Sequence, residues 1–183
     1  MTRHRLFIAI DLSPEARSAL TGLKLPAANC RPVPASQLHL TLRFIGDVDD
    51  SQLTEVQAAL AGINQGPFHL NLAGTGVFPN SHRPRVLWVG VAPVPELQQL
   101  QRLVELAVQA AGIPADERRF SPHITIARLA GSDPVPVRSF LDRYRAFVAP
   151  TFTAVSFNLY ASRLSAAGAE HTILQSYPLT AAG

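Results

Sequence analysis

Leu38-His39-Leu40-Thr41-Leu42-Arg43-Phe44-Ile45-Gly46 is echoed further along the chain by Pro122-His123-Ile124-Thr125-Ile126-Ala127-Arg128-Leu129-Ala130. Each copy reads His, apolar, Thr, apolar. Side chains of a strand alternate between faces, so His39 and Thr41 share one face while Leu40 and Leu42 take the other. His123 and Thr125 stand in the same relation to Ile124 and Ile126. Each copy thus predicts a strand that shows an imidazole and a hydroxyl together, about 7 Å apart at Cα, over a buried apolar back. One His-x-Thr alone means little, because Thr is a good strand former. Two copies, each followed by a helical pattern, predict two strands related by a pseudo-two-fold, with two imidazoles and two hydroxyls facing one another.

The elements around the two motifs set the fold class. Leu6 to Ile10 reads as a strand, and Ser13-Pro14 as a helix start, with Ser at the N-cap and Pro at the first helical position. Pro26 to Pro34 reads as a loop. After the first motif strand, Leu53, Val56, Leu60 and Ile63 recur at helical spacing from about Ser51. Phe68 to Val77 and Arg85 to Val91 read as strands joined by the turn-rich stretch from Pro79 to Pro84. Pro95 to Ala111 is the clearest helix, stopped by Gly112 and Pro114. After the second motif strand, Val137, Phe140, Leu141, Tyr144 and Phe147 mark a helix. Phe152 to Tyr160 and His171 to Leu179 are closing strands. This order, with strand pairs able to form hairpins, predicts an α+β fold of mostly antiparallel sheets rather than a doubly wound parallel one.

Two imidazoles and two hydroxyls in one groove suit a phosphodiester. Hydroxyls donate to non-bridging oxygens, while one imidazole removes a proton and the other delivers one. A catalytically silent module that holds a nucleotide or RNA end in the same groove is the alternative, although binding alone does not need two proton-transfer groups.

Here the chain resembles the two-histidine (2H) phosphoesterase superfamily. Arg5-Leu6-Phe7-Ile8-Ala9-Ile10, the two motif segments and Arg85-Val86-Leu87-Trp88-Val89-Gly90 are similar to its LigT-like branch, the RNA 2′,3′-cyclic phosphodiesterases once described as 2′-5′ RNA ligases. The resemblance covers nearly the whole chain. It implies one domain over residues 1–183, with two similar lobes enclosing a central groove between two mostly antiparallel sheets, and helices on the outside. It also implies metal-independent hydrolysis of RNA 2′,3′-cyclic phosphodiester ends to 2′-phosphomonoesters, with 2′-5′ RNA ligation as a related activity. By motif matching, His39 would be the proton donor to the leaving 3′ oxygen and His123 the base that activates water. Thr41 and Thr125 would hold the phosphate, and no cofactor would be needed. Other cyclic or 2′-5′-linked substrates, such as ADP-ribose 1″,2″-cyclic phosphate, would fit the same site. His171 departs from the family pattern, which often has Tyr there, and this leaves a peripheral substrate contact open.

Composition bounds the rest. The chain has 183 residues, 47% of them hydrophobic and 16% charged, as expected of an ordinary globular domain. Every long apolar run is broken by a charge, Pro or Gly, so no membrane span is predicted. Basic residues precede Leu6, but Asp11 and Ser13-Pro14 end the apolar run too early for a secretory signal. The cytoplasm is therefore the expected location, and a monomer is the default expectation, although the sequence carries no sign of oligomeric state. The single Cys30 excludes an internal disulfide and reads as an incidental thiol in a loop. All 16 basic residues except Lys24 are Arg, and the net charge is +3. That suits an anionic substrate but falls short of the basic stripe of a duplex binder.

Strand parity sorts the neighbours of the motifs. If β alternation is regular, Arg43 shares the face of Thr41 and either contacts phosphate or lies solvated at the strand end. Phe44 and Arg128 then point away, toward core and structural roles, unless a β-bulge intervenes. Arg5 is a candidate for lining the groove. His4, His69, His82 and His171 make no metal-ligand spacing, and acidic residues are scarce near either motif, so a metal-dependent phosphodiesterase is not expected.

Overall fold

The two motif segments form strands of separate antiparallel sheets. A computed structural model describes residues 3–26, 29–131, 134–165 and 168–180. The elements run β1 (His4–Asp11), α1 (Pro14–Thr21), β2 (Cys30–Pro32), β3 (His39–Val48), α2 (Asp50–Ala61), β4 (Phe68–Leu70), β5 (Leu72–Phe78), β6 (Val86–Val91), α3 (Pro95–Ala110), β7 (His123–Leu129), α4 (Pro134–Arg143), β8 (Phe152–Ala154), β9 (Ser156–Ser165) and β10 (Gly168–Pro178). One sheet has the order β10-β9-β1-β3 and the other β2-β7-β6-β5, while β4 and β8 make a two-stranded ribbon. Every pairing among these strands is antiparallel.

The two halves of the chain exchange strands. The β5–β6 hairpin leaves the first half to pair with β7, and the β9–β10 hairpin leaves the second half to pair with β1. β4 and β8, one from each half, pair with each other. β2 was expected to be part of a loop. It instead adds three residues to the edge of β7, opposite Leu129, Arg128 and Ala127. Its shortness hides it from any periodicity, and Pro32, which cannot donate to a ladder, is tolerated because the strand is an edge.

Local chemistry fixes the helix starts. The Ser13 hydroxyl accepts from the Ala16 N–H at 3.1 Å, with Pro14 in the first helical position. α2 begins with a reciprocal box: the Gln52 N–H donates to Asp49 Oδ1 at 2.9 Å, and the Asp49 N–H donates to Gln52 Oε1 at 3.2 Å. Leu97, Leu100, Val104 and Val108 give α3 one buried stripe. These residues share one core with Leu40, Leu42, Ile124 and Ile126, the apolar backs of the motif strands. That shared core settles which way each motif faces: the apolar residues turn to the helices and the His and Thr residues turn away. Among the described residues, no helix is long and apolar enough to cross a membrane.

Candidate active site

His39, Thr41, His123 and Thr125 line one cavity of about 510 Å³. Arg5 and Phe7 of β1, Arg31 of β2, Ser162 of β9 and His171 of β10 complete much of its wall, and no residue of the four α-helices contributes. Every charged or titratable side chain among the lining residues is an Arg or a His. The groove therefore favours an anion.

Both imidazoles are held in the same way. His39 Nδ1 lies 2.7 Å from the Gln37 carbonyl oxygen, and His123 Nδ1 lies 2.7 Å from that of Ser121. A carbonyl only accepts, so each Nδ1 carries the hydrogen, and Nε2 of each neutral ring is left with its lone pair. Aromatic rings fix the ring planes. His39 lies 4.9 Å from Phe7, which stacks nearly parallel to Tyr160 at 4.9 Å. His123 meets Phe78 edge-on at 4.9 Å, with Trp88 at 6.2 Å. Behind His39, its cross-strand partner Asp11 accepts from the Tyr160 hydroxyl and from Asn158 Nδ2.

Electrostatics set the protonation state around His39. Burial pushes His39 down to about 4, opposed by its bond to the Gln37 carbonyl and reinforced by His171 nearby. His39 is thus a neutral imidazole near pH 7. Tyr160 is pushed up by burial and by its bond to Asp11, so it stays a protonated donor.

Two β-bulges change what lies beside the motifs. Along the β1–β3 ladder, Ala9 pairs with Thr41 and Ile8 with Arg43, which leaves Leu42 as the extra residue. Along β6–β7, Trp88 pairs with Thr125 and Leu87 with Ala127, which leaves Ile126 extra. Each bulge flips the parity of the residues beyond it. Leu42 and Arg43 are consequently both buried, as are Ile126 and Ala127.

The expectations for three neighbours are corrected accordingly. Arg43 neither faces the groove nor lies solvated. It is 7% exposed on the core side, with Nε 2.7 Å from Glu105 Oε2, NH1 3.4 Å from Asp116 Oδ2, and further bonds to the Phe44 and Pro114 carbonyls. Phe44, expected in the core, is 37% exposed and lines the cavity under the Arg5 guanidinium, 5.0 Å from its ring centre. Arg128, expected to point away, is exposed and also lines the cavity. Arg5 lines the groove as anticipated.

Sequence reasoning missed Asp11, Gln37, Phe7, Tyr160, Phe78 and Ser121 as parts of this site. The Gln37 and Ser121 carbonyls had one available signal, because each sits two residues before a motif His. Cys30 is half-buried on β2, and burial pushes its thiol up, away from nucleophilic character. His4 pairs with Asp50 at 2.8 Å, and His69 shares a hydrogen bond with Thr153. Among the described residues, no group of three or more His, Cys, Asp and Glu side chains is arranged to hold a metal ion.

The family model described as LigT-like phosphoesterase matches the chain twice, over residues 8–88 and 89–169. The chain belongs to the LigT-like phosphoesterase family. A relative named RNA 2′,3′-cyclic phosphodiesterase from Geobacillus stearothermophilus is 37% identical over 134 residues, which cover 70% of this chain and 43% of that protein. The chain thus spans less than half of that relative's length. A Thermus thermophilus protein of the same name is 34% identical over 192 residues, covering 96% of this chain and 90% of the relative. The crystal structure of Escherichia coli LigT complexed with 3′-AMP superposes with a TM-score of 0.79 at 30% identity, covering 98% of this chain and 99% of that one. In this LigT-like chain the two matches of the model carry one His-x-Thr-x motif each.

Proposed function

We propose that this LigT-like protein hydrolyses the 2′,3′-cyclic phosphodiester at RNA ends to a 2′-phosphomonoester by two-histidine acid–base catalysis, without a metal. One observation carries the reading. Two His–Thr pairs line one cavity whose ionisable lining is all Arg and His, and each imidazole has its Nδ1 tied to a carbonyl two residues back, which leaves Nε2 as the nitrogen for proton transfer. The names of its relatives point to the same substrate.

In the reaction, His123 Nε2 takes a proton from water as the water oxygen bonds to phosphorus. The bond from phosphorus to the 3′ oxygen breaks, and His39 Nε2–H delivers a proton to that oxygen. The 2′ oxygen keeps its phosphorus. Thr41 and Thr125 donate their hydroxyls to the non-bridging oxygens. Burial disfavours a charge on His39, so its acid form is assembled with the substrate: the phosphodiester anion stabilises the imidazolium. A 5′-hydroxyl of a second RNA in place of water would give a 2′-5′ linkage. We take the chain to act as one domain of two interlocked lobes, as a cytoplasmic monomer away from membranes.

The deciding experiment is a product assay on an oligonucleotide with a 2′,3′-cyclic phosphate end, in EDTA. A 2′-phosphate end is expected. A 3′-phosphate end, or no turnover despite binding, would overturn the reading in favour of another chemistry or of a silent binding module.

A further inference from the structure

The duplicated motif accounts for two imidazoles in the cavity, and a third faces them. His171 of β10 lines the same cavity, with its ring centre 5.6 Å from His39 and 4.9 Å from Phe7, edge-on to both. Its Nδ1 is buried with no hydrogen-bond partner, whereas the ring as a whole is only half-buried. A neutral imidazole carries one N–H. Nδ1 lacks a partner in either tautomer, but a buried N–H without an acceptor is the costlier of the two, and protonating both nitrogens would bury that donor and a charge. The hydrogen therefore belongs on Nε2, the nitrogen on the open side of the ring, and the ring stays neutral. Burial and Arg128 both act in that direction. This tautomer is the reverse of that of His39 and His123, whose Nδ1–H bonds leave Nε2 bare.

We propose that His171 is a substrate-binding residue of this cavity, a neutral Nε2–H donor on the His39 side that bonds an oxygen of the bound phosphate group. The proposal rests on the reading of the cavity as a phosphoester site. Its surroundings suit the role. His39 on β3 and Arg128 on β7 are the titratable and charged groups that bear on it, while Phe7 on β1 and its cross-strand partner Ser162 on β9 carry no charge. Two imidazoles with bare Nε2 atoms can relay protons but cannot donate to an anion while neutral. A third with the opposite tautomer donates to the anion and takes no proton from the relay.

Ring-nitrogen NMR of 15N-labelled protein at pH 7 should show His171 as the Nε2–H tautomer and His39 and His123 as Nδ1–H. An Nδ1–H tautomer at His171 would overturn the proposal. Binding of adenosine 2′-monophosphate should weaken about tenfold in His171→Phe, which keeps an aromatic ring against Phe7 but has no donor. His171→Gln, whose amide nitrogen reaches the place of Nε2, should recover most of that loss. On a nucleoside 2′,3′-cyclic phosphate, His171→Phe should raise KM about tenfold and leave kcat within about threefold. Wild-type affinity in the Phe variant, or a Gln variant as weak as Phe, would overturn the proposal. A wild-type protein that binds the monophosphate through His171 yet turns over no cyclic phosphate would sink the hydrolase reading and uphold this one.

Discussion

Phe44 stands to His39 as Arg128 stands to His123: each comes at the same offset after its motif, past one bulged residue, and lines the same cavity. The duplication thus extends beyond the two His–Thr pairs to the device that aims the next side chain, but the two sheets use it differently. One supplies an aromatic face capped by Arg5, and the other a guanidinium. Arg128→Ala should raise KM for a cyclic phosphate about tenfold or more, the scale of a charge-assisted hydrogen bond. Phe44→Ala should weaken binding of a nucleotide more than that of inorganic phosphate, because a ring face interacts with a base and not with a phosphate. Steady-state kinetics and phosphate titrations of both variants test the pair. Equal losses toward both ligands in Phe44→Ala would remove it as a base platform.

Arg43 serves the opposite side of its strand. It ties β3 to α3 through Glu105 and to the loop after α3 through Asp116 and Pro114. Removing it leaves the partly buried Glu105 carboxylate without its cation, whereas Asp116 keeps Arg118, so Arg43→Met should destabilise by roughly 2–4 kcal/mol in urea unfolding. The folded variant should keep a wild-type KM. A large rise in KM with unchanged stability would return Arg43 to the groove.

Legibility in the sequence depends on which forces act locally. Repetition and strand alternation were enough to place His39, Thr41, His123 and Thr125 on one face, because the apolar residues between them must be buried. Ser13-Pro14 and the stripe from Leu97 to Val108 likewise carry their own signals. The bulges at Leu42 and Ile126 do not. Inserting one residue into a ladder is decided by the partner strand, and no pattern in β3 or β7 alone announces it, so parity misplaced Arg43, Phe44 and Arg128 together. β2 is a strand three residues long, too short for periodicity, and exists only because β7 offers it an edge, while β4 and β8 lie within stretches that read as strands but whose split from β5 and β9 to pair with each other has no local signal.

Gly76 makes room for the wall behind His123. A Cβ there would lie 2.1 Å from the Trp88 ring, which packs on Phe78 and near His123. Gly76→Ala must displace the indole and should destabilise by about 1–3 kcal/mol, as overpacking does. Trp88 is the only tryptophan in the chain, so its emission maximum reports the movement directly. Unchanged fluorescence and stability would show that the wall yields without strain.

Both imidazoles take part in the proposed proton transfer. His39→Ala and His123→Ala should each lower turnover by at least about 10²-fold. The double variant should lose little more, since groups that act as a unit are not additive. Near-wild-type turnover in either single variant would remove that residue from the mechanism.

His39 also links the site to pH. Its folded value of about 4 lies below the usual 6.5, so between these limits the unfolded chain binds the proton that the folded protein refuses. Stability from this group is complete above about pH 6.5 and falls as the pH drops toward 4, by at most about 3 kcal/mol. His39→Gln removes the titration, so its melting temperature should decline less than that of the wild type over the same window. A bound phosphate acts in the opposite sense, because its charge favours the imidazolium. Titration of wild-type protein with inorganic phosphate near pH 6 should therefore take up protons and move the His39 ring signals upward in apparent pKa. Calorimetry in buffers of different ionisation enthalpy measures the uptake, and phosphate binding that leaves His39 neutral would rule it out as the acid that protonates the leaving oxygen.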